Sequence, residues 1–355
     1  MNYKHKIIKA LYKNIFKPLA FKMDAEFIHD SISKVGESLE SCEKLVSFLL
    51  SYQDLRLKKT VLGVSFSNPI GLAAGFDYDG HLAEIMKYVG FGFNTVGTVT
   101  AKPYVGNKKP RLARLPKSRS LLVNKGFKSE GAVVIASRLD TKNLSGHTIG
   151  ISVGSTNSPS ITTINKAIDD YLFTFNLFKR RKYVKYFELN ISCPNTTMTE
   201  SFAEEKNFRA LTKAVVALKI KQPIFIKIPN EINEEECDKL VRVALSQEIR
   251  GFIFSNLVKN RNNQAFDKKE IKYFSNFIGN FSGKPTVNNA NKLLAHVRNK
   301  FGKEATLVGC GGVFNANDVV NKLNCGADLV QLITGMIFEG PQLIGEICQE
   351  LTSSS

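Results

Sequence analysis

From Pro69 onward the chain alternates short apolar runs with stretches of helical periodicity. The apolar runs are IGLAAG (70–75), FNTVGTVT (93–100), TIGISVG (148–154), YFELNIS (186–192), IFIKIP (224–229), GFIFSNL (251–257), TLVGCGG (306–312) and LVQLITG (329–335). They are near-continuous rather than alternating, which predicts strands covered on both faces, as in a parallel sheet. Between them, segments such as 206–221, 233–247, 315–324 and 341–352 place apolar residues three and four apart, the stripe of an amphipathic helix. Eight such units predict a (β/α)8 TIM barrel, with an open doubly wound sheet as the alternative for the same pattern. Ahead of them, residues 1–55 read as a small helical hairpin or pair. KKTVLGVSFSN (58–68) reads as a β-hairpin turning at Gly63. The expected division is therefore a helical extension over 1–55 and an α/β barrel over 56–355.

The extension has its own pattern. Ile7, Ile8, Leu11, Tyr12, Ile15, Phe16 and Leu19 recur at helical spacing, and Lys4, Lys6, Lys9, Lys13, Lys17 and Lys22 are interleaved with no acid among residues 1–22. Pro18 and Asp24 punctuate the end of this helix and the start of the next. Asp24 is placed to cap it and Glu26 to meet the positive end of its dipole. A basic amphipathic helix lies in a membrane interface, or else packs on the body of the protein. No run of 18 apolar residues occurs, so no membrane span is expected, and the segment lacks the continuous apolar core of a signal peptide. The expected placement is peripheral, on the cytoplasmic side of a membrane.

Composition changes this picture little. A chain of 355 residues accommodates a barrel of about 250 residues plus the extension. Its six cysteines are scattered, without zinc-like spacing, so neither a disulfide framework nor a metal site is expected. The net charge of +17 fits attraction to a polyanion, or simply a lysine-rich surface.

The chemistry concentrates at strand ends. The long segments 101–129, 193–205 and 258–287 all follow strand C-termini, the end where barrel enzymes build their sites. Lys227 sits within IFIKIP, where a buried ammonium needs an anionic or electron-rich partner. The alternative is a lysine snorkelling to solvent. GCGGV (309–313) and the Thr334–Gly335 pair supply glycines just before helices, a common phosphate-binding arrangement. Cys193 stands at a strand end between Asn190 and Asn195. It is either a small buried hydrophobe or a general base toward a carbon acid. With Asn124 and Asn256, these asparagines offer paired donors and acceptors, the complement of an imide or pyrimidine ring.

SNPIGLAAGFDYDG, GTVTAKPYVGNKKPRLARL, NKGF, ELNISCPNT, VGCGGV and GADLVQLITGMIFEGP together resemble, in order and spacing, the dihydroorotate dehydrogenase family. The basic helix and DAEFIHD (24–30) resemble its quinone-linked, membrane-associated class. The resemblance implies an FMN enzyme that oxidises dihydroorotate to orotate in pyrimidine biosynthesis. A base removes a proton from the substrate, a hydride passes to flavin N5, and a membrane quinone reoxidises the flavin. It implies FMN contacts at Ala74, Gly75, Thr98, Ser152, Asn190, Lys227, Ser255, Gly283, Gly312 and Thr334. Tyr78, Asn124, Gly126, Phe127, Asn190, Asn195 and Asn256 would frame the substrate, with Cys193 as base. His29 and Arg114 would lie near the quinone path.

The chain departs from the family pattern in places. Cys193 replaces the serine usual in the quinone-linked class, Tyr78 replaces a lysine that meets the substrate carboxylate, and Ser152 replaces an asparagine. Leu257 and Ile333 replace a hydroxyl and a tyrosine. A related dihydropyrimidine or enoate substrate, a barrel that reduces uridine in transfer RNA, and a non-catalytic flavin binder are the competing expectations. The last helix closes the barrel with no helical domain after it, so no nucleic-acid partner is expected.

Overall fold

A computed structural model describes residues 2–191 and 201–353. Eight parallel strands close into one barrel: β1 (Ile70–Leu72), β2 (Phe93–Val99), β3 (Ile149–Val153), β4 (Val184–Asn190), β5 (Ile224–Ile228), β6 (Gly251–Phe254), β7 (Thr306–Cys310) and β8 (Leu329–Leu332). Each pairs with its neighbours in sequence, and β8 returns to β1 through Val330 opposite Ile70. All eight apolar runs became barrel strands, and every one of these strands is buried along most of its length because helices cover the outside. The helices Glu205–Ala217, Glu234–Leu245, Ala316–Asn324 and Leu343–Ser353 fall on the four periodic segments.

The barrel interior is filled in layers. The antiparallel hairpin Lys59–Val61 and Val64–Phe66 turns at Leu62 and Gly63, and its Phe66 enters the N-terminal end of the barrel. There it packs with Phe93, Tyr186, Phe225, Ile253, Val308 and Leu329, with the Phe66 and Phe93 rings 5.0 Å apart. This apolar plug leaves the opposite end, above the strand C-termini, for polar side chains.

Two regions differ from the sequence expectation. The segments 101–129 and 258–287 are not plain loops. Leu112–Leu115 and Ser120–Val123 form an antiparallel pair, and Asn280–Phe281 adds a third strand beside the second. These strands are short and meet only in three dimensions, so local periodicity could not reveal them.

The N-terminal segment also holds more than a helical pair. Helices Tyr3–Leu11, Ala25–Ser38 and Glu43–Leu50 are joined by a π turn at Tyr12–Phe16 and a helical turn at Lys17–Ala20. The helix thus continues past Pro18, because the widened π turn precedes the missing N–H of the proline. Asp24 caps the next helix as expected, accepting from the Phe27 N–H at 2.8 Å.

Candidate active site

The cleft above the strand C-termini is lined by Ala74, Glu188, Asn190, Lys227, Ser255, Asn256, Gly283, Thr286, Cys310, Gly312, Ile333 and Thr334, among others. Seven of the ten residues expected to touch the cofactor are thus brought to one cavity: Ala74, Asn190, Lys227, Ser255, Gly283, Gly312 and Thr334. The other three adjoin it. Gly75 donates its N–H to Gly97 O at 2.8 Å. Asn190 Nδ2 donates to Thr98 Oγ1 at 3.0 Å, and Thr98 shares a hydrogen bond with Ser152 Oγ at 3.0 Å.

Lys227 does not snorkel. Its position on β5 turns it into the barrel, and only 7% of it is exposed. Its Nζ donates to Cys310 Sγ, the end of β7, at 3.2 Å. Burial alone works against its charge, but the Cys310 sulfur and the Glu188 carboxylate outweigh it and hold the ammonium above the ordinary lysine range. A fixed cation at this depth is suited to stabilise negative charge that develops on a bound ring.

The opposite side of the cleft is nearly bare backbone. A Cβ on Gly335 would lie 1.8 Å from Val313 O, one on Gly312 would lie 2.0 Å from Val287 Cγ2, and one on Gly283 would lie 2.3 Å from Arg119 O. Gly283 and Gly312 also have φ of +79° and +71°, where glycine is favoured. Ser282 and Thr334 share a hydrogen bond of 2.8 Å beside this floor, and Thr286 lines it. Hydroxyls and unobstructed backbone at the ends of β7 and β8 form the kind of surface that receives a phosphate. Cation, amide and glycine floor together suit a phosphorylated redox ring in donor type.

The expected substrate residues divide. Asn256 lines the cleft. Asn124 Oδ1 accepts from Asn107 Nδ2 at 2.9 Å, and Asn107 Oδ1 accepts from Tyr104 Oη at 2.6 Å and Asn157 Nδ2 at 3.1 Å. Gly126 abuts Asn107, and the Phe127 ring lies against Gly154 beside Thr98. Cys193 and Asn195 lie outside the described residues. Tyr78 faces a second pocket, between the helix Ala25–Ser38 and the loops after β1 and β2, with His29, Phe76 and Tyr104.

A cation nevertheless reaches Tyr78. Lys125 Nζ lies 4.8 Å from its ring centre, within cation–π range. Lys125 belongs to a charge cluster that sequence reasoning missed. Glu26, 4% exposed, receives Arg111 through both Nε and Nη2, at 2.8–3.1 Å, and Lys125 at 3.0 Å. Lys128 and Lys109 stand within 3.9 Å. Burial opposes the charge of Glu26, but hydrogen bonds from Arg111 and the charge of Lys125 prevail and pull its carboxyl down to about 2. The expectation that Glu26 serves the helix dipole is therefore secondary. Its main partners come from segments 85 and more residues away, which spacing along the chain cannot show.

His29 and Arg114 tie down different parts of the N-terminal segment. His29 Nε2 is 2.8 Å from Phe76 O, with its ring 5.0 Å from that of Tyr78. Arg114 Nη1 donates to the carbonyls of Ala20 and Met23 and stacks on Phe21. The other residues that sequence reasoning missed are Glu188, Cys310 and Asn230. Asn230 Nδ2 reaches Ser255 Oγ at 2.5 Å and Thr286 O at 3.1 Å. A carboxylate inside a strand run was the one available signal for Glu188.

The dihydroorotate dehydrogenase family model matches residues 56–354. Proteins named dihydroorotate dehydrogenase (quinone) are similar over nearly the whole chain. The one from Christiangramia forsetii is 34% identical, covering 96% of this chain and 98% of its own. The one from Synechococcus is 31% identical, covering 97% and 93%. A ligand-free dihydroorotate dehydrogenase structure from Eimeria tenella superposes with a TM-score of 0.75 at 25% identity, over 90% of this chain and 94% of the other. The chain belongs to the dihydroorotate dehydrogenase family.

Proposed function

We propose that this member of the family oxidises dihydroorotate to orotate, using bound FMN as the hydride acceptor and a membrane quinone as the final oxidant. The observation that carries the reading is the convergence of Lys227, Asn190 and Thr98 with the glycine floor of β7 and β8 in one cleft. FMN would lie with its ring edge at Lys227 and its phosphate at Gly283, Gly312 and Thr334. Bound there, it supplies the two-electron chemistry that no side chain offers. Cys193, three positions after the last residue of β4 in the sequence, takes the substrate proton, while Asn124, Asn190, Asn195 and Asn256 hold the ring by its donors and acceptors. Gly126 and Phe127 complete the surroundings of the substrate, while Tyr78, beside Lys125, faces the second pocket instead.

Residues 1–55 form the membrane-facing module, and residues 56–355 the flavin barrel. Tyr3, Ile7, Leu11, Ile15 and Leu19 are all exposed at successive spacings of four, one apolar row along the first helix and the two helical turns that continue it. Such a row on a protein surface calls for a partner, and an interfacial leaflet is the one that fits a helix of this kind. Among the described residues no helix is long and apolar enough to cross a membrane. Contact is accordingly peripheral, and His29 and Arg114 flank the path by which a quinone enters.

The test is anaerobic mixing of the purified holoprotein with dihydroorotate while following the visible flavin band. Bleaching that a soluble quinone reverses, and that Cys193→Ala abolishes, is the expected result. A flavin that dithionite reduces but dihydroorotate does not would refute the substrate.

A further inference from the structure

We propose that Glu188 is a positioning residue that sets the reduction potential of the flavin by offsetting the charge of Lys227. The proposal rests on the flavin reading above. Glu188 is 1% exposed, on β4, and it borders both the apolar plug and the cleft. On β4 it lies two residues before Asn190, so both side chains point into the barrel. Asn190 is level with Lys227 on β5, which places the carboxylate one layer beneath the ammonium.

Two donors converge on one of its oxygens. Thr95 Oγ1 donates to Glu188 Oε1 at 2.7 Å, and Gln331 Nε2 donates to the same atom at 2.6 Å. Tyr186 Oη shares a hydrogen bond of 2.7 Å with Thr95, which extends the donor chain. The other carboxylate oxygen, Oε2, is buried without a hydrogen-bond partner among the described residues. A buried, unpaired carboxylate oxygen is costly unless a charge answers it. The fixed cation one layer above it is Lys227, whose ammonium also donates to the Cys310 sulfur at 3.2 Å.

The consequence follows from charge balance. Oxidised flavin is neutral, and Lys227 with Glu188 sums to zero beneath it. Reduction by two electrons and one proton leaves negative charge at the pyrimidine edge of the flavin. Lys227 alone would favour that state strongly, and Glu188 moderates it. An intermediate potential suits an enzyme that must take electrons from one partner and release them to another. Glu188 acts through the field it adds to Lys227.

The test is a dye-referenced reductive titration of wild-type holoprotein and of Glu188→Gln, with flavin content and melting temperature measured alongside. Removing one buried charge a single side-chain layer below Lys227 is expected to raise the ratio of reduced to oxidised flavin at a fixed potential at least tenfold. For a two-electron couple that is a shift of about 30 mV to more positive values. Glu188→Asp, which keeps the charge, should remain close to wild type.

An unchanged potential in a fully flavinated Glu188→Gln protein overturns the proposal. So does a Glu188→Asp shift as large as that of Glu188→Gln, because charge would then not be the cause. If Glu188→Gln fails to fold, Glu188→Met is judged by the same criterion. Loss of flavin from both variants would make the residue structural and reject the idea. Wild-type protein that carries no flavin would instead defeat the functional reading on which the proposal rests.

Discussion

The substitution Glu26→Gln tests whether the charge cluster clamps the N-terminal segment to the barrel. It removes one negative charge and leaves Arg111 and Lys125, 6% and 5% exposed, buried without their acid. Breaking a buried pair in this way costs about 3–5 kcal/mol, because the surviving cations stay desolvated. The depressed carboxyl of Glu26 gives a second figure. A fall from 4.5 in the unfolded chain to about 2 in the folded one corresponds to about 3 kcal/mol at neutral pH. With an unfolding entropy of roughly 2.1 cal/mol/K per residue, this chain loses about 0.7 kcal/mol per degree, so Tm should fall by about 4–7 °C.

The pH dependence fixes the cause. The folded pKa lies below the unfolded one, so the contribution is fully present above about pH 4.5 and is lost as pH falls through about 2. The gap between wild type and variant should stay constant at neutral pH and narrow steadily below 4.5. Thermal melts followed by circular dichroism across this range suffice. A neutral-pH Tm within about 1 °C of wild type would refute the clamp. A gap that does not narrow in acid would show that packing, not charge, is responsible.

Three further outcomes are expected. Gly335→Ala must displace the Val313 carbonyl, 1.8 Å from the new Cβ, so the protein should purify with little or no flavin, read from its visible absorbance. Leu11→Ser with Ile15→Ser removes two side chains that are 53% and 56% exposed. At about 1.5–3 kcal/mol for each fully buried aliphatic group, sedimentation with anionic vesicles should weaken at least tenfold while Tm stays unchanged. Unaltered sedimentation would reject the membrane-facing row. Lys13→Glu turns the ion pair with Glu339 into repulsion, and limited proteolysis should then cut within residues 1–22 faster than in wild type.

The barrel was legible because its evidence is local. Each strand is a short apolar run, each helix a periodic stretch, and parallel pairing follows once eight such units alternate. Lys227, Gly312 and Thr334 were legible for the same reason: each sits inside or just after a run whose end defines the active face. What escaped was built from distant segments. The sheet of Leu112–Leu115, Ser120–Val123 and Asn280–Phe281 spans more than 150 residues of sequence. Glu188 needs Gln331, 143 residues away, to be recognised as a buried acid with donors. Family resemblance could supply positions such as Gly283, but not these pairings, since it transfers residues one at a time.

The first helix shows a subtler limit. Its alternation of lysines with apolar residues announces two faces, yet not which of them meets the protein. The ordinary expectation is apolar face inward. Here Lys9 pairs with Glu346, Lys13 with Glu339, and Lys17 donates to Phe338 O, while His5 packs on Gly345 and Tyr12 Oη reaches Ile337 O. The basic face is the docking face, and the apolar row is left outside. Acids at the C-terminal end of the barrel sequence make this arrangement possible, because Glu339 and Glu346 sit on the last two helices, Thr334–Glu339 and Leu343–Ser353. The first of these begins at Thr334, a wall of the cleft, and ends at Glu339, held by Lys13 and Arg119. The helix with the exposed apolar row therefore rests on the same six-residue element, Thr334–Glu339, that borders the cleft.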